Sequence, residues 1–239
     1  MKRLIKNKTI REWIEAILFA FIAAFIIRTW FYAPFRVPTG SMIPTIEVGD
    51  QIIADMNVYG LHIPFTKKRV WEGDIKRGDI VIFPNPANPE ICNSSFYGGW
   101  DTISALFIGF FVDSNYVPKC VDYIKRVVAL EENTIEIIGE KVYINGLPES
   151  GYQTYFNTLL PPRNIFYKEK VPKGMLFVMG DNRRDSHDGR FWRINGARLS
   201  YVSMDNIRAR GKLIYFSLDP SLGVMNGGIR WDRIFSILR

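Results

Sequence analysis

The stretch from residue 135 to residue 144 reads IEIIGEKVYI and decides the fold class. Two short apolar runs, Ile135–Ile138 and Lys141–Ile144, flank the pair Gly139-Glu140. Glycine at the first position of a two-residue turn supplies the positive φ that a tight hairpin needs. The stretch therefore predicts a β-hairpin.

Short apolar runs separated by Gly, Pro, Asn and Asp continue on both sides of this hairpin, a pattern typical of β-strands and turns. The predicted strands are Gln51–Asp55, Ile80–Phe83, Tyr123–Leu130, Leu176–Met179 and Ala209–Ser217. Beyond the N-terminal region no segment shows sustained helical periodicity, and only a short helix is predicted near Ser203–Ile207. The sequence therefore predicts an all-β domain.

The N-terminal region differs from the rest of the chain. Residues 13–33 form a 21-residue apolar stretch in which only Glu15 and Arg28 are charged. As a helix this stretch would span ~31 Å, about the thickness of a hydrocarbon core. A cleaved signal peptide is the alternative, but the aromatic run 30–32 does not match the small residues of a cleavage site. The sequence predicts a transmembrane anchor at 13–33, a basic tail at 1–12 and a separate domain at 34–239.

The charge distribution indicates how this anchor would be oriented. Of the net charge of +7, the first 12 residues carry +4, with five basic residues and one acidic residue. Basic residues beside an anchor favour the cytoplasmic side, so the N-terminus is predicted to be cytoplasmic and the domain to lie on the other side of the membrane. The remaining residues carry little net charge and no basic patch interleaved with aromatic residues, which argues against a nucleic-acid partner.

The segment from about residue 84 to residue 120 has a composition of its own. It is rich in Pro and Asn and includes the apolar run Ile103–Val112, which is too short for a second helical span. We interpret the segment as an extra lobe near the membrane. Cys92 and Cys120 bracket the apolar run, and both a disulfide and two free thiols are compatible with the sequence. Two Cys and two His do not form a standard zinc cluster, so no metal or other cofactor is predicted.

A candidate nucleophile, Ser41, follows the anchor by eight residues, a reach of at most ~28 Å. Pro38 and Pro44 restrict the backbone on both sides of it. A serine hydroxyl needs a neighbouring base. His187 could reach Ser41 from elsewhere in the chain, although its own neighbours Ser186 and Asp188 cannot complete a triad with it.

Lysine is the other candidate base. Strand alternation places Tyr123, Lys125 and Val127 on one face of a predicted strand. Lys125 there is either an edge residue that reaches water or a buried amine whose pKa falls far enough for it to act as a base. A third polar cluster, Gly180–Arg190, follows the strand Leu176–Met179, and its alternating charges favour an ordered ion-pair corner.

Taken together, these segments resemble type I signal peptidases, the bacterial membrane enzymes that remove signal peptides from exported proteins. The resemblance covers most of the chain and keeps the family's motif order. The matching segments are Phe35–Thr45, Lys76–Val81, Tyr123–Val128, Gly180–Arg183 with Ser186, Asp188 and Arg190, and Ile229–Ile234. The resemblance implies a mainly antiparallel, partly barrel-like signal-peptidase fold.

The resemblance also implies a role for individual residues. Ser41 is the implied nucleophile and Lys125 the general base, which Ser186 orients. The implied oxyanion donors are the Ser41 N–H and the Thr39 hydroxyl. The implied structural supports are Asp181, Asp188, Arg190 and Arg126. The implied substrate-pocket residues, which suit small side chains such as alanine, are Val37, Met42, Ile46, Tyr123 and Ile124.

Some positions depart from the family pattern. Gly189 stands where serine is usual, Arg193 stands where glycine is common, and residues 131–133 replace a typical Pro-Gly-Asp turn. These departures affect local loop geometry and leave the serine–lysine pair intact.

Three functions are compatible with these observations. The first is a serine endopeptidase that cleaves secretory preproteins after Ala-x-Ala sites at the membrane lipid surface. The second is a specialised Ser/Lys peptidase that matures a pilus, conjugation or regulator substrate. The third is a membrane-anchored β-domain without enzymatic activity, in which Lys125 would titrate normally.

Overall fold

The structure is a computed structural model that describes residues 8–60, 71, 73–86, 122–194 and 196–239. Cys92, Cys120, His62, residues 1–7 of the predicted basic tail and residues 87–120 of the predicted lobe lie outside the described residues.

The N-terminal helix, α1, runs from Lys8 to Trp30. Apolar side chains along it, among them Trp13, Ile17 and Phe19, are exposed. None of the helices in the described part of the chain is long and apolar enough to cross a membrane. The helix also ends before the predicted end of the anchor, because residues 32 and 33 already belong to the first strand.

Thirteen strands follow α1 in the described residues. They are β1 (Tyr32–Arg36), β2 (Asp50–Asp55), β3 (Ile80–Pro84), β4 (Asp122–Ala129), β5 (Thr134–Gly139), β6 (Lys141–Ile144), β7 (Leu147–Pro148), β8 (Ile165–Lys170), β9 (Met175–Met179), β10 (Arg193–Ile194), β11 (Ala197–Arg198), β12 (Val202–Ser203) and β13 (Ala209–Ser217). The described residues also include two short 3-10 helices, Met204–Asn206 between β12 and β13 and Trp231–Arg233 after β13, and the first confirms the helix predicted near residues 203–207.

The larger sheet has seven strands in the order β1-β2-β13-β3-β4-β9-β12. All its neighbouring strands run antiparallel. In the β3–β4 pair Val81 lies opposite Lys125, and Ile80 lies opposite Arg126. Because neighbouring side chains of a strand alternate, β4 presents Lys125 and Arg126 to opposite faces of the sheet.

The smaller sheet has four strands in the order β7-β6-β5-β8, and β10 and β11 form a separate pair. The β5–β6 pair is the hairpin that residues 135–144 predict, with Ile138 opposite Lys141. Gly139 has φ +64° at the turn, a conformation that glycine adopts without strain. The prediction of a mainly antiparallel all-β domain is confirmed.

The core consists of apolar clusters on both faces of the larger sheet. Ile80 and Ile82 of β3 pack in one cluster, whereas Val81 and Phe83 pack in another. All five residues of β3 are buried, because the serine-containing loop after β1 covers one face and residues near β12 cover the other. Charged side chains on β4 are consequently removed from water on either face.

Candidate active site

The loop that carries Ser41, which we call the serine loop (residues 37–49), connects β1 to β2. It is closed at its base by hydrogen bonds from the Val37 N–H to the Asp50 carbonyl (3.0 Å) and from the Gly49 N–H to the Val37 carbonyl (3.1 Å). Met42 and Ile46 anchor its interior in the apolar cluster beneath it. Ser41 is thus held on a loop whose ends and interior are both fixed.

Lys125 meets Ser41 from β4. The Lys125 side chain is 5% exposed, and its Nζ lies 2.6 Å from Ser41 Oγ, to which it donates a hydrogen bond. No carboxylate among the described residues lies within ion-pair distance of Lys125. The structure therefore brings together the predicted nucleophile and the predicted base, and gives the lysine a hydroxyl as its close partner.

Burial lowers the pKa of Lys125 from 10.5 to about 8, because removal from water disfavours the ammonium form. Asp188 and Asp181 act against this change from a distance, and Arg190 adds to it. A pKa of about 8 leaves roughly a tenth of the lysine neutral at pH 7, and a neutral amine can accept the Ser41 proton across the same 2.6 Å. Of the two interpretations of Lys125 in the sequence, the structure supports the buried amine.

Arg126, the next residue on β4, is also buried but is fully paired. Its Nε and Nη2 donate to the two carboxylate oxygens of Asp181, each at 2.7 Å. Its Nη1 donates to the carbonyl oxygens of Gly78 (2.7 Å) and Arg239 (2.9 Å). Thr45 Oγ1 donates to Asp181 at 2.6 Å, so this ion pair also holds the serine loop.

A second buried ion pair joins Asp188 to Arg190. Arg190 Nε and Nη2 each lie 2.8 Å from Asp188, and the Gly180 N–H donates to the same carboxylate at 3.0 Å. Burial alone would raise the pKa of Asp188, but Arg190 and the Gly180 N–H lower it below its ordinary value. The carboxylate is therefore charged at neutral pH and fixes the loop after β9.

Gly180 marks the closest approach of that loop to the serine loop. A Cβ at this position would lie 2.3 Å from both the Ser41 carbonyl oxygen and Ser186 Oγ. Only glycine leaves room for both groups. Ser186 is buried beside this contact, and its hydroxyl makes no hydrogen bond to Lys125 among the described residues. Its role in orienting the lysine stays a prediction.

The remaining predicted site residues are either exposed or packed against apolar side chains. Thr39 and His187 are exposed, and the hydrogen-bond partner of Ser41 Oγ is Lys125, not His187. Four of the predicted pocket residues, Val37, Met42, Ile46 and Ile124, share one apolar cluster. Tyr123 packs instead against Trp192 and Phe83 on the other face. The structure therefore divides the predicted pocket between the two faces of the sheet.

A third charged network, which the sequence analysis did not assign, supports the far end of the serine loop. Asp50 accepts hydrogen bonds from Arg233 Nη2 (2.6 Å) and Ser217 Oγ (2.7 Å), and Arg230 bridges it to Glu47. Burial raises the pKa of Asp50, but Arg233 and the other donors outweigh it and lower the pKa. The available signal was the pair of arginines, Arg230 and Arg233, in the closing segment 229–234.

The sequence analysis also assigned no role to Asn182, although this residue lies within the matching segment Gly180–Arg183. Its Nδ2 donates to the Gly40 carbonyl at 3.0 Å, and its backbone N–H donates to the Ser41 carbonyl at 3.1 Å. These contacts join segments 142 residues apart in the chain. No local pattern in the sequence could have indicated them.

Comparison with known proteins identifies the family of the chain. Residues 10–216 match the model of the family described as signal peptidase, peptidase S26. Among curated proteins, the chain is similar to a signal peptidase I of Pseudomonas aeruginosa, with 28% identity over 93% of this chain and 78% of that protein. It is also similar to a signal peptidase I of Rickettsia akari, with 28% identity over 96% of this chain and 93% of that protein.

A crystal structure of a signal peptidase I from Enterococcus faecalis has 21% identity and a TM-score of 0.35, and the similarity covers 57% of this chain and 96% of that one. The family match spans well over half of the sequence. The matched range includes Ser41, Lys125 and the two buried ion pairs, Arg126–Asp181 and Arg190–Asp188. The chain therefore belongs to the signal peptidase family, peptidase S26.

Proposed function

We propose that the chain is a serine endopeptidase that cleaves N-terminal signal peptides from secretory preproteins after small residues, at Ala-x-Ala sites. The observation that carries the proposal is the 2.6 Å contact between Ser41 Oγ and the buried Lys125 Nζ. Family membership and the curated relatives, which are named signal peptidase I, support the substrate class.

The acylation step follows from this contact. Neutral Lys125 takes the proton of Ser41 as Oγ forms a bond to the scissile carbonyl carbon. The negative charge that develops on the carbonyl oxygen is stabilised by the Ser41 N–H and by the Thr39 hydroxyl. When the intermediate collapses, the peptide C–N bond breaks, and Lys125 returns the proton to the departing amine.

In deacylation a water molecule replaces Ser41 as the nucleophile, and Lys125 again acts as the base. Lys125 is neutral again after the amine has left, so it removes a proton from the water that attacks the acyl-enzyme. The bond between the acyl carbon and Ser41 Oγ breaks, and the proton on Lys125 returns to the serine. No metal or other cofactor is needed in either half of this scheme.

The two buried ion pairs supply rigidity to this chemistry. Arg126 with Asp181 and Arg190 with Asp188 fix the segments on either side of the serine–lysine contact. We assign four apolar residues that share one cluster to the surroundings of shallow substrate pockets: Val37, Met42, Ile46 and Ile124. Tyr123 packs on the other face of the sheet and does not join them.

Attachment to the bacterial inner membrane is the second part of the proposal. The exposed apolar side chains of α1 would be poorly solvated in water, which supports a lipid environment for the N-terminal segment. We assign the part of the predicted anchor that lies in α1, residues 13–30, to this attachment, with the N-terminus in the cytoplasm. Carbonate extraction of membranes tests the attachment, and protease access from each side distinguishes a single pass from one-sided binding.

Cleavage of a secretory precursor with an Ala-x-Ala site, in detergent, tests the enzymatic proposal. The wild type is expected to cleave after the second alanine, and Ser41→Ala and Lys125→Ala are expected to lose this activity. Lys168→Ala, which changes an exposed lysine on β8, is the matched control. Retained cleavage by Ser41→Ala would show that the nucleophile is another residue.

A folded wild type that cleaves no such precursor would contradict the substrate class. If such a protein cleaves other membrane proteins in a Ser41-dependent way, the result favours a specialised maturation peptidase. If it cleaves no membrane protein, the result favours a binding domain without enzymatic activity.

A further inference from the structure

Asn182 holds both carbonyl groups that flank the backbone of Ser41. It lies two residues beyond Gly180, is 1% exposed, and donates from Nδ2 to the Gly40 carbonyl at 3.0 Å. Its backbone N–H donates to the Ser41 carbonyl at 3.1 Å. One side chain and one backbone group of the same residue thus fix two successive peptide units of the serine loop.

The first of these bonds controls the direction of the Ser41 N–H. The Gly40 carbonyl and the Ser41 N–H belong to one planar peptide unit and point to opposite sides of it. Holding the carbonyl therefore fixes the direction in which the N–H points. A hydrogen bond to the carbonyl also polarises the unit, which strengthens the N–H as a donor.

The orientation of the Asn182 amide is fixed by this contact. The Gly40 carbonyl is only an acceptor, so a flipped amide would place two oxygens 3.0 Å apart. In the observed orientation Asn182 Oδ1 is buried and has no hydrogen-bond partner among the described residues. A buried acceptor without a partner is unfavourable, and an apolar side chain would avoid it. The presence of an amide here points to the importance of its donor.

Asn182 is itself held rigidly. The Arg183 N–H donates to the Tyr155 carbonyl at 2.7 Å, and the Tyr155 N–H donates to the Asp181 carbonyl at 2.8 Å. Asp181 in turn is paired with Arg126. The donor to Gly40 therefore stands on a segment that is fixed on both sides.

We propose that Asn182 is a positioning residue for the cleavage reaction, which holds the Gly40–Ser41 peptide so that the Ser41 N–H faces the developing oxyanion. This inference rests on the proposed function. It predicts that loss of the Asn182 donor weakens binding of the tetrahedral state and leaves binding of the ground-state substrate nearly unchanged.

Asn182→Ala and Asn182→Leu test the proposal in the full-length chain. For both variants kcat is expected to fall about 10- to 100-fold, less than complete removal of an oxyanion donor, because the N–H remains but is less well aimed. KM is expected to change by less than about threefold, since substrate contacts are intact. Leucine fills the volume of asparagine, so it separates loss of the donor from loss of packing.

A peptide aldehyde and the matching alcohol, both ending at the P1 alanine, provide a second readout. The Ser41 oxygen adds to the aldehyde carbon, and the resulting oxygen occupies the oxyanion position, whereas the alcohol binds without this reaction. The aldehyde affinity of both variants is expected to fall by the same factor as kcat, and the alcohol affinity is expected to stay within about threefold of wild type. The ratio of the two does not depend on the fraction of folded protein.

Asn226→Ala, which removes an exposed asparagine, is the control and is expected to match wild type. If both variants lose aldehyde and alcohol affinity equally, or if Asn182→Leu keeps the wild-type kcat, the proposal for Asn182 is overturned. The proposed function still stands in that case, provided that the wild type shows Ser41-dependent cleavage. Absence of Ser41-dependent cleavage in wild type would overturn the proposed function, and this inference with it.

Discussion

Lys125 and Arg126 are neighbours on β4, and both are buried cations, yet their surroundings differ completely. Arg126 is 1% exposed and donates to the Asp181 carboxylate and two backbone carbonyls. Lys125 is 5% exposed and donates to the Ser41 hydroxyl, with no carboxylate within ion-pair distance among the described residues. The two side chains point to opposite faces of the same strand.

The difference shows how one strand can carry a structural charge and a reactive amine side by side. The Asp181 carboxylate and two backbone carbonyls offset the desolvation of Arg126. Lys125 has no such partner, so burial lowers its pKa to about 8 and makes a neutral base accessible. Asp181 is ion-paired with Arg126, and this positive charge partly cancels the stabilisation that Asp181 gives to the charged form of Lys125.

Replacement of Lys125 is expected to have the largest effect. Lys125→Met should lower kcat/KM by at least about 10³-fold, because it removes the amine that is hydrogen-bonded to Ser41 Oγ and accepts its proton. Its melting temperature should equal or exceed that of wild type, since a buried cation without a counter-ion is lost. Kinetics and thermal melting of the same preparation measure both quantities. A large fall in melting temperature would contradict the view that Lys125 is kept for reactivity.

Replacement of Arg126 is expected to reverse this pattern. Arg126→Met leaves the Asp181 carboxylate buried without its counter-ion, which should lower the free energy of unfolding by about 3–5 kcal/mol. The double variant Arg126→Met/Asp181→Leu should recover much of that loss, because neither charge is then left unpaired. Urea unfolding of the wild type and the two variants tests this. An unchanged free energy of unfolding in Arg126→Met would refute the structural role.

The pH dependence of cleavage offers a finer test of the lysine. Because the pKa of Lys125 is lowered from 10.5 to about 8, the neutral base becomes more abundant as pH rises through 8. Below that pH, kcat/KM should increase about tenfold per pH unit, and it should level off above it. Rate measurements between pH 6 and pH 10 show where the curve bends. A bend near the ordinary lysine pKa would mean that Lys125 is not desolvated.

An exposed lysine should show none of these effects. Lys168 pairs with Glu136 on the surface of the smaller sheet, and its side chain is 57% exposed. Lys168→Ala should change the free energy of unfolding by less than about 1 kcal/mol, because water already solvates both partners. Its pH–rate curve should overlay that of wild type. A shifted curve would show that charge at a distance, and not local burial, sets the reactivity.

Much of the fold follows from local sequence patterns. The strand β13 and the hairpin partner β6 have the predicted bounds, and β2, β3, β4, β5 and β9 differ by one or two residues at their ends. Two clear strands were missed. β1 follows α1 so closely that its first two residues were counted with the anchor, and β8 contains Lys168, Glu169 and Lys170, which resemble a solvated loop.

Strand alternation predicts only which side chains of the site share a face of the sheet. Alternation places Lys125 on the same face as Tyr123 and Val127, but it cannot say whether that face is covered. The cover comes from segments far away in the chain, and burial of Lys125 is therefore a tertiary property. The contacts of Asn182 with residues 40 and 41 depend in the same way on how β9 and the serine loop meet.

Direct titration of Lys125 tests the central claim most directly. Nuclear magnetic resonance of protein labelled at the lysine side chains, with Lys125→Met used to assign the signal, reports the pKa of this one amine. A pKa of Lys125 near 8, lowered from 10.5, is the expected result. A pKa of Lys125 at or above the ordinary value would show that burial does not deprotonate it, and would contradict its role as the base for Ser41.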